Sequence, residues 1–262
     1  NVAVGLDALT ANTTADNNTA VGFEALKDNT TGTANTALGT YALKSNTTNE
    51  NTGIGYRALC ANTTGDDNVA VGAYALDANT EGNYNTAVGM DALSISTTAS
   101  NNTAVGYNAA RNITTGDDNT ALGFCALRSN TTASDNTALG RKSLQANTEG
   151  FSNTAVGLNA LFTNITGCYN VAVGLSALET STTNTNTAVG FETLKDTSTG
   201  YGTAVGYKAM KNNTTSSGST AMGFETMCSI TTGSNNSAFG IYALCDLNTA
   251  VGNTAVGRQA FQ

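Results

Sequence analysis

A chain of 262 residues with only 11% charged side chains, against roughly 25% in an average soluble protein, has replaced charge with Asn, Thr, Gly and Ala. It contains no His, which removes the commonest general base and metal ligand, and no Pro, which suits a backbone whose N–H groups nearly all enter hydrogen-bond ladders. The net charge of −8 argues against binding nucleic-acid phosphates, and no apolar run approaches the roughly 20 residues of a membrane-spanning helix, so neither nucleic acid nor membrane insertion is expected.

From its first residue the chain repeats itself. Asn-Thr-Ala-Val-Gly stands at 18–22, 85–89, 153–157 and 253–257, with near copies at 1–5, 68–72 and 136–140. The closing glycines fall at 5, 22, 39, 55, 72, 89, 106, 123, 140, 157, 174, 190, 206, 223, 240 and 257, a spacing of 17 residues with three steps of 16. Self-similarity at a fixed period signals a repeat architecture. We number each repeat from its Asn, so that the Gly is position five.

Position six is large and apolar in most repeats, as in Leu6, Phe23, Tyr56, Met90, Tyr107 and Phe124. Where it is not, position seven supplies the bulk, as in Thr40-Tyr41 and Ala73-Tyr74. Position eight is almost always Ala and position nine usually Leu, followed by a polar corner such as Asn62-Thr63-Thr64-Gly65. Four or five apolar positions in a block of about seven, then a Gly/Asn/Thr corner, support neither an amphipathic helix nor a long strand. The pattern predicts an all-β parallel β-solenoid of about fifteen coils of 16–17 residues, with short strands stacking coil on coil.

Alternation along the strand puts Val21 and Phe23 on one face and Ala20 and Gly22 on the other. Bulk suggests that Val21 and Phe23, with Leu26 after a bend, point inward. Ala20, Ala87, Ala104 and Ala155 would then form an outward strip of small residues, suited to close approach by a second chain. The chain begins on a repeat and stops at Gln262 inside one, without the polar caps that protect solenoid ends. It therefore reads as a single uncapped solenoid segment, 1–262, of a longer protein. The last coil is irregular, since Asn248-Thr249-Ala250-Val251-Gly252 precedes the expected pentad.

The pentad, two residues and Ala-Leu, as in 85–93, resembles repeats of bacteriophage tail fibres and the coils in head domains of trimeric autotransporter adhesins. That resemblance covers essentially the whole chain. It implies a left-handed roll, a homotrimer or other fibre assembly, and attachment at a virion or cell surface, outside the cell, to a host receptor or glycan. The adhesin coil is shorter, and the Asn-Thr-Thr-Gly corner is extra here.

Several residues invite chemical readings. Cys228 and Cys245 share position ten in neighbouring coils, where stacked Cα atoms fall inside the window for a disulfide; two free thiols on a stacked edge is the alternative. Cys60, Cys125 and Cys168 have no partner by register. Asn12, Asn29, Asn46, Asn62, Asn130 and Asn213 open Asn-x-Thr sequons, which read either as a glycan ladder or as corner residues suited to tight turns. Asp66-Asp67 and Asp117-Asp118 could offer calcium ligands or simply solvate a corner. No phosphate loop, nucleophile elbow or unique carboxylate pair is present, and no cofactor or metal site is expected. The expected role is a non-catalytic structural or adhesive fibre segment. Alternatives are a self-assembling filament or an ice-binding face, although paired threonines such as Thr13-Thr14 can present only one hydroxyl outward.

Overall fold

The computed structural model describes every residue except 199, 216, 247, 250 and 262. The irregular pentad of the last coil therefore falls partly outside the described residues, at Ala250, as does the terminal Gln262. The chain divides into two compact units, 1–134 and 135–262. The first holds strands β1 to β8, Val2–Val4, Thr19–Val21, Thr36–Leu38, Thr52–Ile54, Val69–Val71, Thr86–Val88, Thr103–Val105 and Thr120–Leu122. The second holds β9 to β16, Thr137–Leu139, Thr154–Val156, Val171–Val173, Thr187–Val189, Thr203–Val205, Thr220–Met222, Ser237–Phe239 and Thr254–Val256. Within each unit every strand pairs in parallel with the next in sequence, without register shift: Thr86 faces Thr103, Ala87 faces Ala104, Val88 faces Val105. Among the described residues there is no helix, and each unit is a parallel β-solenoid.

Each coil is locked to the next along most of its length. Thr86 N–H donates to Asn102 O at 2.8 Å and Leu93 N–H to Ala109 O at 3.1 Å, while Gly89 N–H reaches back to Val71 O at 2.7 Å. The pentad glycine is obligatory on two counts. Gly89 has φ +131°, and a Cβ there would lie 2.6 Å from the carbonyl oxygen of Gly106 in the next coil. Three ordinary residues in most coils also adopt the left-handed region, at positions seven and nine and just before the next pentad, such as Asp91 (φ 58°), Leu93 (φ 50°) and Asn101 (φ 60°). That conformation costs an L-residue roughly 1–2 kcal/mol, which burial of a Leu side chain, at about 1.5–3 kcal/mol, offsets. The turn exists because the leucine it aims inward is fully buried.

The face assignment is the reverse of the sequence expectation. Ala20, Ala87, Ala104 and Ala155 are fully buried within their own coils, so no outward strip of alanines is available to another chain. Val21 is half-buried and Phe23 exposed, both on the outer face. The interior holds Ala at positions three and eight, Leu at nine, and Asn at one and twelve, as in Asn62, Ala58 and Leu59. The physical reason is the narrowness of the coil. At Gly53, which occupies position three, an added Cβ would already lie 3.0 Å from Cγ of Leu43 in the preceding coil. Close approach does demand small residues there, but the approaching surface is the leucine rank of the same solenoid.

Candidate functional site

The interior asparagines form two ladders. At position one, Asn85 Nδ2 donates to Ala99 O at 2.8 Å, and its Oδ1 accepts from Asn102 N–H at 3.0 Å. At position twelve, Asn79 Nδ2 donates to Asn62 Oδ1 at 2.8 Å and to Gly82 O at 3.0 Å. The sequon asparagines 29, 46, 62, 130 and 213 belong to this second ladder and are fully buried. In the folded coil their amide nitrogens are inside, so the stacked-corner reading holds for these five and a glycan ladder does not. Asn12, in the first coil, is half-buried and donates to Ala15 O at 3.2 Å.

The position-thirteen threonines also serve the scaffold: Thr80 Oγ1 donates to Thr97 O at 3.0 Å. Asp66 and Asp117 accept backbone N–H groups of the preceding coil, from Asn49 at 2.8 Å and Ser100 at 2.7 Å. A side-chain hydrogen bond shared with Asp67, and then the like charge of that carboxylate, hold the Glu50 carboxyl above its ordinary range. Among the described residues no group of three or more His, Cys, Asp or Glu is placed to hold a metal ion. Cys228 and Cys245 are joined by a disulfide with Cα atoms 4.9 Å apart. Cys60, Cys125 and Cys168 are buried free thiols, and burial pushes that of Cys60 up.

Three outward features remain. Positions four and six put an apolar ladder on the surface, with Leu122 49% and Phe124 44% exposed in the first unit and Met222 48% and Phe224 41% in the second. Its rings stack coil on coil, Tyr107 on Phe124 at 5.4 Å and Tyr207 on Phe224 at 4.9 Å between centroids. Beside this ladder run the position-two threonines of the strands, such as Thr52, Thr86 and Thr103, on the same outer face as Ile54, Val88 and Val105.

The third feature is the outer edge formed by positions seven, ten and eleven, where most of the charge sits. Glu24 is held by Lys27 at 2.8 Å and Lys44 at 2.7 Å, which keep its carboxyl below the ordinary range. Lys211, 2.7 Å from Glu192, does the same there. Arg57 pairs with Asp77 at 3.1 Å. On this edge a depression of about 350 Å³ opens between Tyr74, Asp77, Asp91, Ser94, Ile95 and Arg111.

The depression has a sequence cause. Position ten carries a long side chain in most coils, but Ser94 stands between Asp77 below and Arg111 above, and Ile95 is the one bulky aliphatic at position eleven. The next residue departs as well: Ser96 replaces the ladder asparagine, leaving its own Oγ and Asn79 Oδ1 buried without partners. Arg141-Lys142, Ile113, Phe162 and Arg258 also depart from the repeat but do not line this space; Ser94-Ile95-Ser96 is the sequence signal, because three successive positions break the repeat in one coil. No family model, curated protein or solved structure matches the chain.

Proposed function

We propose that this chain is a non-catalytic structural and adhesive fibre segment, acting outside the cell at a virion or cell surface, and assembled from several copies of itself. The observation that carries the reading is the exposed apolar ladder at positions four and six. Phe23, Tyr56, Tyr107 and Phe124 of the first unit, each of roughly 200 Å² and about two-fifths exposed, supply roughly 320 Å² together, and the exposed apolar residues at position four add to this, a substantial part of the roughly 800 Å² that each partner buries in a standard interface. Another copy offers the same side chains at the same coil spacing, so the two ladders match in register. Three copies are the arrangement that the resemblance to adhesin heads favours. The absence of His supports a non-catalytic role.

Sedimentation velocity tests the assembly. The chain should sediment as a homo-oligomer at about 10 µM, a concentration at which an interface of this size is occupied. Tyr107→Lys with Phe124→Lys should dissociate it without loss of β-structure, because both side chains point outward. A monomeric parent chain would reject this reading. One observation favours the ice-binding alternative: Thr at position two alternates with Val at position four on an outward strand face, which the adjacent corner threonines cannot achieve. Thermal hysteresis abolished by Thr86→Lys and Thr103→Lys would establish that alternative, and its absence would dismiss it.

A further inference from the structure

We propose that the depression between Tyr74, Asp77, Asp91, Ser94, Ile95 and Arg111 is a subsite for one neutral pyranose unit of a glycan. This inference rests on the adhesive reading and names the chemistry that the surface would grip. The first support is a built floor. Ser94 is only 6% exposed and lines the space. A hydroxyl at that place can both donate to and accept from a ligand.

The second support is the balance of the walls. Asp77 already answers Arg57 at 3.1 Å, so the charges left to a ligand are one carboxylate, Asp91, and one guanidinium, Arg111. Arg111 makes only a long contact, 3.4 Å, to Asn112 Oδ1. A ligand matched to this pair has no net charge and carries both donors and acceptors. Vicinal hydroxyls meet that demand, since a carboxylate accepts from two and a guanidinium donates to the ring or glycosidic oxygen.

The third support is the apolar remainder. Tyr74 is held edge-to-face against Tyr56, with centroids 5.2 Å apart, so its ring is fixed rather than free to fold over the opening. With Ile95, 38% exposed, it gives the C–H face of a sugar ring an apolar rest. A volume of about 350 Å³ lies at the small end of ligand sites, enough for one monosaccharide and its waters. A compact, neutral, hydroxyl-rich body with one apolar face is a pyranose.

The test uses the full chain and four probes, the methyl glycosides of glucose, galactose, mannose and N-acetylglucosamine, in saturation-transfer NMR. At least one should bind with a Kd on the order of millimolar, as expected for so few contacts. Ser94→Lys fills the space with a side chain that position ten already carries at Lys27, Lys44, Lys195 and Lys211, so the coil should fold. It should abolish transfer, and Asp91→Asn should weaken binding about tenfold. No transfer from any probe, or transfer unchanged in Ser94→Lys, overturns the subsite. Sedimentation of the same samples keeps the two proposals apart. Intact assembly without sugar binding rejects the subsite alone, and sugar binding by a monomer rejects the assembly alone.

Discussion

Replacing Asn85 by Ala strikes the position-one ladder in the middle of the first unit, where the side chain is fully buried. Two groups would lose their partners: the carbonyl of Ala99, which accepts from Asn85 Nδ2 at 2.8 Å, and the N–H of Asn102, which donates to Asn85 Oδ1 at 3.0 Å. Asn68 Oδ1 keeps the bond from the residue 85 backbone N–H, so it is not stranded. At about 1–3 kcal/mol for each buried polar group left unmade, the loss is about 2–6 kcal/mol. It should be local, because a coil touches only its neighbours. Hydrogen exchange read by mass spectrometry should show lost protection around 85–102, with coils at the far ends of the stack unchanged. The outward neighbour Thr86→Ala should cost under about 0.5 kcal/mol, as surface substitutions do. If Asn85→Ala costs no more than Thr86→Ala, the ladder is not what holds the coils together.

Gly89→Ala meets both a positive φ and a Cβ only 2.6 Å from Gly106 O, so it should destabilise by about 3 kcal/mol or more, measured by denaturant midpoint. Reducing the Cys228–Cys245 bridge, which closes a separation of 17 residues, should lower stability by about 3 kcal/mol, seen as a reductant-dependent fall in Tm; mass mapping that finds both thiols alkylated without reduction would contradict the bond. The depressed carboxyl of Glu192 contributes stability that is complete above its ordinary value of 4.5 and lost as pH falls through its lower folded value. The Glu192 contribution to the melting temperature should therefore fall away below pH 4.5, and Glu192→Gln should flatten part of the acid decline; an identical acid limb would refute the pairing. In a glycosylating host, folded protein should carry no glycan on Asn62 or Asn130, whose nitrogens are buried, and glycopeptide mapping checks this.

The repeat period, the strand positions and the pentad glycines were legible in the sequence, because each follows from backbone demands that recur in every coil. Which way the strands face was not. Val21 and Phe23 are bulkier than Ala20, and bulk normally marks the core. Here the coil is so narrow that one leucine per turn, such as Leu26, fills it, and the strand opposite must be alanine. Composition alone does not reveal the width of a cavity that the corners set. The polar interior was hidden for the same reason. Asn62 looks like a surface turn residue until the carbonyls it must satisfy, Gly65 O at 2.7 Å for one, are seen inside. The depression is not legible in the sequence because its cause is a missing side chain at Ser94, and a short polar residue in a polar corner looks unremarkable.

The rungs between coils link residues 15 to 18 apart, as Leu93 links to Ala109 and Gly89 to Val71. Contacts this local let folding spread from any coil to the next, without a distant closure that must be met first. They also leave every coil indifferent to how many others exist. A gene that slips by one coil's worth of codons would yield a chain in which each remaining neighbour meets the partner it already expects. The number of turns is therefore a quantity that selection can adjust alone, without redesigning any single surface.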